Sequence, residues 1–141
     1  MITLSVSTFN GSTFLPALIE SLCSQTTADW YLLVRDDGST DATLSVLEGF
    51  SARIPNKVTV LNADGQQLGS CASFSKLLDQ AKSPYIMLCD QDDVWLPDKI
   101  EKTMAAMLDA ERRYGCHTPL LVHTDLKVVD ENLQPIADSF W

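Results

Sequence analysis

An α/β fold, with a mostly parallel sheet and helices on both faces, is what this 141-residue chain predicts. Apolar periodicity switches repeatedly between two and about 3.6 residues, and turn-forming residues stand at each switch. One apolar run is continuous enough to suit a strand buried on both faces. Ile2, Leu4 and Val6 alternate as a first strand, which Asn10-Gly11-Ser12 breaks. Phe14, Leu15, Leu18, Ile19 and Leu22 then share one helical face. Residues 30–34 form a second apolar strand, ended by Arg35-Asp36-Asp37-Gly38-Ser39-Thr40-Asp41. There an Asp-Gly turn runs directly into residues that cap helices, and Leu44, Leu47 and Phe50 mark the helix that follows. Residues 58–61 read as a third strand and 62–69 as a loop with two glycines. Cys71, Phe74, Leu77, Leu78 and Ala81 make the next helical stripe. Pro84 precedes Tyr85-Ile86-Met87-Leu88, the continuous run, and Asp90-Gln91-Asp92-Asp93 follows at once. Pro97-Asp98 opens a helix with Ile100, Met104, Met107 and Leu108 facing inward, since proline suits the first turn. A loop around Gly115 leads to 120–123, and 126–129 reads as a further strand.

Composition narrows the function. Residues 1–141 suffice for one domain with its own core. Nineteen acidic residues against ten basic ones give a net charge of −9, which disfavours binding to nucleic acid or anionic lipid. No apolar run approaches the ~20 residues that span a bilayer, and the first residues lack the basic start of a signal peptide. Cys23, Cys71, Cys89 and Cys116 form no CxxC pair, so reduced and mostly buried thiols of a cytoplasmic protein are expected.

In parallel sheets ligands gather beyond the carboxyl ends of the strands, where strand order reverses. Three polar clusters fall at such ends: Ser7-Thr8-Phe9-Asn10, Asp36-Asp37-Gly38-Ser39 and Asp90-Gln91-Asp92-Asp93. Three carboxylates within four residues repel one another. A hard cation such as Mg²⁺ or Mn²⁺ relieves that repulsion and would also let a phosphate ligand sit beside them. The competing reading is helix capping, although one or two acids suffice for that. A calcium loop fails, because Val94 and Trp95 stand where an oxygen ligand and a glycine belong. A turn and a helix cap account for residues 38–41 without any ligand. Asp37 is the acid left over, placed to accept hydrogen bonds from a nucleobase imide or a ribose hydroxyl. Ser7 and Thr8 could do similar work or simply form a turn. His117 and His123 show no metal spacing, and Cys89 reads as a buried, inert thiol.

These three clusters, in this order and with Pro97 after the third, resemble family 2 glycosyltransferases, which have the GT-A fold. Asp90-Gln91-Asp92-Asp93-Val94-Trp95, followed by Leu96-Pro97-Asp98-Lys99, looks like the bacterial rhamnosyltransferase-like branch. The resemblance implies a nucleotide-sugar-binding domain over 1–141, the N-terminal part of a longer enzyme. It implies an inverting, metal-dependent transfer of sugar from a uridine- or thymidine-linked diphosphate donor to a glycan or lipid-linked acceptor, in bacterial cell-surface polysaccharide synthesis. Residue by residue, Ser7 and Thr8 match the hydroxyl position near the base, and Asp37 the acid that bonds the pyrimidine ring. Asp90 matches the DxD acid facing the ribose, Asp92 the acid on the Mn²⁺ or Mg²⁺, and Asp93 a helper of that metal shell. Many relatives carry an Arg-Asn pair where Cys71-Ala72-Ser73-Phe74-Ser75 stands, which loads more of the diphosphate charge onto the metal. The family's catalytic base lies downstream of the region near Asp125 and is expected beyond Trp141, so none is assigned. The implied location is cytoplasmic, at the inner face of the membrane, with any membrane association made through regions outside these residues.

Two other classes share parts of the pattern. A response-regulator receiver needs an acid pair after its first strand, where Ser7-Thr8-Phe9-Asn10 stands, and a later Lys for which only Lys127 offers. A haloacid dehalogenase-type phosphatase carries its hydrophobic-DxD motif on the first strand, whereas residues 85–92 come fourth.

Overall fold

The computed structural model describes residues 1–61 and 66–141. They form two compact units, Met1–Asp98 and Lys99–Trp141. The first is the α/β unit: β1 (Ile2–Thr8), α1 (Leu15–Cys23), β2 (Trp30–Asp36), α2 (Thr43–Arg53), β3 (Val58–Leu61), α3 (Ser70–Gln80) and β4 (Tyr85–Asp90). The sheet order is β3-β2-β1-β4 and every pairing is parallel. The chain builds outward from β1 through β2 to β3, then returns to add β4 on the other side. Strand order therefore reverses at β1, and the sequence expectation of a mostly parallel α/β sheet holds.

Register decides which side chains share a face. Ser7 pairs with Arg35 on one side and Asp90 on the other, and Ser5 with Leu33 and Leu88. In-register partners point the same way, so these residues form one face, while Val6, Val34 and Cys89 belong to the opposite one. The Arg35 guanidinium donates to Ser73 Oγ at 2.7 Å, which places α3 over the Ser7–Arg35 face. β1 and β2 are buried almost throughout. β4 is not. Met87 and Cys89 are buried, but Leu88 is 53% exposed. The strand expected to be buried on both faces is thus an edge strand covered on one, a distinction that a continuous apolar run does not carry.

Helix faces follow the predicted periodicity with shifts. Leu15, Leu18, Ile19 and Leu22 are buried in α1, and Leu47 and Phe50 in α2, whereas Phe14 and Leu44 are exposed. In α3 the buried pair is Ser73 and Leu77, with Cys71 and Leu78 outside. The face has turned toward the Arg35 head, which needs a polar neighbour. Residues 62–65 of the expected loop lie outside the described residues.

Asp36 locks the turn after β2. It is buried. Its Oδ1 accepts from Thr8 Oγ1 at 2.9 Å and Ser39 Oγ at 2.6 Å, and its Oδ2 accepts from the N–H groups of Gly38 and Ser39 at 3.2 and 2.9 Å. Gly38 sits at φ +86°, a conformation that glycine adopts without strain. Asp36→Ala leaves these donors without an acceptor and is expected to cost about 3 kcal/mol of unfolding free energy, read from urea melts. Asp36→Asn keeps one acceptor and should lose distinctly less.

In the second unit, α4 (Lys99–Tyr114) ends at Gly115, whose φ of +88° lets its N–H reach Glu111 O at 2.8 Å. Of its predicted inward face Ile100 is buried and Leu108 exposed. Residues 120–123 form no strand. Val128–Val129 (β5) pairs antiparallel with Pro135–Ala137 (β6), a short hairpin separate from the parallel sheet. The cysteine expectation is also corrected: Cys89 is buried, but Cys23, Cys71 and Cys116 are exposed. No helix among the described residues is long and apolar enough to cross a membrane.

Candidate active site

A cleft of about 290 Å³ opens at the carboxyl ends of β1, β2 and β4. Ser7 and Phe9 line it from β1, Asp37 from the turn after β2, and Asp90, Gln91 and Asp92 from the turn after β4. The start of α3 closes it with Gly69, Ser70 and Phe74. The three polar clusters of the sequence therefore converge, and parallel register is the reason: Ser7 lies directly between Arg35 and Asp90.

Not every candidate residue faces this space. Thr8 is completely buried and its hydroxyl donates to Asp36, so it braces the turn beneath the cleft instead of lining it. Asp93 is half-buried and outside the lining, and its N–H donates to Asp90 O at 3.3 Å. Among the described residues no three His, Cys, Asp or Glu side chains converge as a metal cage. Of the three acids expected in the metal shell, Asp90 and Asp92 line the cleft and Asp93 does not.

The acids of this region differ sharply in how their oxygens are used. Asp37 is buried, and its Oδ1 accepts from Arg35 Nη1 and from Leu68 N–H at 2.7 Å. Its Oδ2 accepts from Gly69 N–H at 2.7 Å. Burial pushes this carboxyl up. The bonds from Leu68, Arg35, Gly69 and Ser73 outweigh that and hold it at about 2, so Asp37 is a fixed anion at neutral pH. Asp41 is likewise held below the usual carboxylate range by the Thr43 and Ser12 bonds, and so ties the loop after β1 to the start of α2. Asp90 and Asp92 are exposed and make no side-chain hydrogen bond or ion pair among the described residues. Two ionisable oxygen donors left free in a cleft suit a hard cation, which is often held by one or two carboxylates with ligand phosphates completing its shell.

Positive charge comes from elsewhere. No basic side chain lines the cleft among the described residues. Arg35 lies beneath it, buried, engaging Asp37, Ser73 and the Gln66 carbonyl at 3.0 Å. The amino end of α3 opens on the cleft, where unpaired N–H groups favour an anion. Sequence reasoning missed Arg35, Ser73 and Gln91. Arg35 read as the end of a strand, and only the register reveals that it points under Asp37.

Comparison with known proteins agrees with this geometry. The sequence model of Glycosyl transferase family 2 matches residues 3–120. The dTDP-rhamnosyl transferase RfbG of Shigella flexneri is 29% identical over 106 residues, covering 73% of this chain and 37% of that protein. The putative glycosyltransferase EpsE of Bacillus subtilis is 32% identical over 124 residues, 87% of this chain and 42% of that protein. The crystal structure of S. aureus TarS 1-349 in complex with UDP-GlcNAc superposes with a TM-score of 0.69 at 25% identity, covering 79% of this chain and 32% of that one. The chain thus spans about two fifths of the length of these two relatives. A parallel sheet whose reversal point gathers the three motifs, and a family match across most of the chain, have one common explanation: this chain belongs to glycosyl transferase family 2.

Proposed function

We propose that residues 1–141 form the donor-binding part of an inverting, metal-dependent glycosyltransferase of cell-surface polysaccharide synthesis. The donor is a uridine- or thymidine-linked diphosphate sugar, and the acceptor a glycan or lipid-linked glycan at the inner face of the membrane. One observation carries the reading: among the described residues Asp90 and Asp92 stand free at the cleft, while Asp36 and Asp41 are consumed by internal bonds. RfbG, named as a dTDP-rhamnosyl transferase, and TarS, solved with UDP-GlcNAc, support the donor class.

In this reading Asp37 and Ser7 hold the base end of the nucleotide, Asp90 faces the ribose, and Asp92 with Asp90 holds Mn²⁺ or Mg²⁺. The bound metal would neutralise the departing diphosphate as a Lewis acid. It answers a charge problem of the cleft itself, whose described residues present three carboxylates and no basic side chain to an anionic ligand. The acceptor oxygen would bond to the anomeric carbon as the bond to the diphosphate breaks, its proton passing to a base that none of these residues supplies.

The test is a thermal melt with uridine or thymidine diphosphate, with and without Mn²⁺. A ligand at a hundredfold excess over Kd stabilises the folded state by about 2.7 kcal/mol. A rise in Tm that requires both nucleotide and metal is expected, and the better nucleotide identifies the base. The absence of such a rise with either nucleotide overturns the reading.

A further inference from the structure

Gln91 stands between the two free carboxylates, yet its own side chain leaves them and crosses to the loop after β1. Its Oε1 accepts from Phe9 N–H at 3.0 Å and its Nε2 donates to Phe9 O at 3.1 Å. The amide therefore pairs with both backbone polar groups of one residue, as a neighbouring strand would, just where the β1–β4 ladder has ended at Ser7 and Asp90. Such a two-point planar contact fixes orientation as well as distance.

Gly11 makes room for it. A Cβ at Gly11 would lie 2.1 Å from Gln91 Oε1 and 2.7 Å from its Cδ, an impossible approach. Gly11 does not have positive φ, so nothing in its backbone conformation calls for glycine. The missing side chain is needed because the Gln91 amide fills that volume. The same loop is held on its far side: Gly11 N–H donates to Thr43 Oγ1 at 2.9 Å, and Asn10 N–H to Ser39 Oγ at 2.8 Å. A continuous path of bonds thus runs from the Asp36–Thr43 segment through residues 9–11 to Gln91, and ends between Asp90 and Asp92.

We propose that Gln91 is a positioning residue, which holds the Asp90–Asp92 turn against the Phe9–Gly11 loop and thereby sets the two carboxylates for metal and diphosphate. The proposal rests on the donor-site reading above. Groups that orient metal-binding carboxylates typically change metal affinity by about 10–100-fold when removed.

The test is a double-mutant cycle on Mn²⁺-dependent binding of uridine diphosphate, measured by calorimetry, with ligand-free Tm as the control for folding. Gln91→Ala should weaken binding about tenfold with little change in Tm. Gly11→Ala should do the same, because a methyl group there expels the flexible amide. The double variant should bind no worse than Gln91→Ala alone, since the methyl then occupies vacated space. Losses that multiply to about a hundredfold, or wild-type affinity in Gln91→Ala, overturn the proposal. If Gly11→Ala does not fold, Gln91→Asn takes its place. Its amide is one methylene too short for Phe9, so a loss equal to that of Gln91→Ala supports the role, and wild-type affinity overturns it. A wild-type chain that shows no metal-dependent binding removes the donor-site reading and this role with it, an outcome distinct from multiplicative losses in a chain that binds.

Discussion

Asp92→Ala should abolish the Mn²⁺-dependent rise in Tm with uridine or thymidine diphosphate, while the unliganded chain melts as before. The asymmetry follows from what Asp92 does without ligand. It is exposed, accepts no hydrogen bond and pairs with no cation among the described residues, so its removal leaves no buried donor stranded. Exposed substitutions of this kind shift stability within about ±0.5 kcal/mol, and relief of repulsion from Asp90 favours the positive side. The ligand effect goes the other way. With one carboxylate gone, a divalent ion has only Asp90 and the ligand to hold it, and a diphosphate meets no compensating charge along the cleft wall. A variant equal or better in stability and empty of metal-dependent binding is the mark of a residue kept for function at a cost in stability. Calorimetric titration of wild type and variant decides the matter, and equal affinities would remove Asp92 from the metal site.

How far the sequence reached depends on the scale of the feature. Element types and their order were legible over residues 1–98 because period switches and turn residues are local signals, and the parallel sheet followed from the alternation. The cleft was legible at one remove: strand ends in such a sheet must lie side by side, so Ser7, Asp37 and Asp90 could be expected together. What stayed hidden was which hydroxyl and which acid turn inward. Ser7 and Thr8 are neighbours of similar chemistry, but alternation sends Ser7 to the α3 side and Thr8 down onto Asp36. Asp92 and Asp93 differ by one step around a turn, and that step puts one in the cleft and the other outside it. Leu88 misled for a related reason, since an apolar edge strand and an apolar central strand have the same sequence. The hairpin β5–β6 was half seen because its second strand, Pro135–Ala137, has almost no pattern to read.

Asp37 carries the second large effect, and here stability and binding should fall together but separate by pH and by ligand. Asp37→Ala removes the anion beside a fully buried guanidinium and the acceptor for the Leu68 and Gly69 N–H groups. Breaking a buried pair from one side costs about 3–5 kcal/mol; Arg35 retains Ser73 and the Gln66 carbonyl, which points to the lower end. Asp37→Asn keeps the shape and exposes the charge dependence. The carboxyl is held at about 2 in the folded chain against an ordinary 3.8, so its contribution is complete above 3.8 and lost as pH falls from there toward about 2. Urea melts of wild type and Asp37→Asn should therefore differ most near neutral pH and converge in acid; a gap independent of pH would mean the charge is not what stabilises. For binding, Asp37 lines the cleft as a fixed anion, its oxygens already accepting from Arg35, Leu68, Gly69 and Ser73. In the donor-site reading the imide N–H of a uracil or thymine ring is drawn to this anion from the cleft side. Asp37→Asn should accordingly weaken uridine diphosphate binding while sparing that of inorganic pyrophosphate with Mn²⁺, whose contacts fall to Asp90 and Asp92. Loss of both ligands to the same degree would reduce Asp37 to a brace for the start of α3.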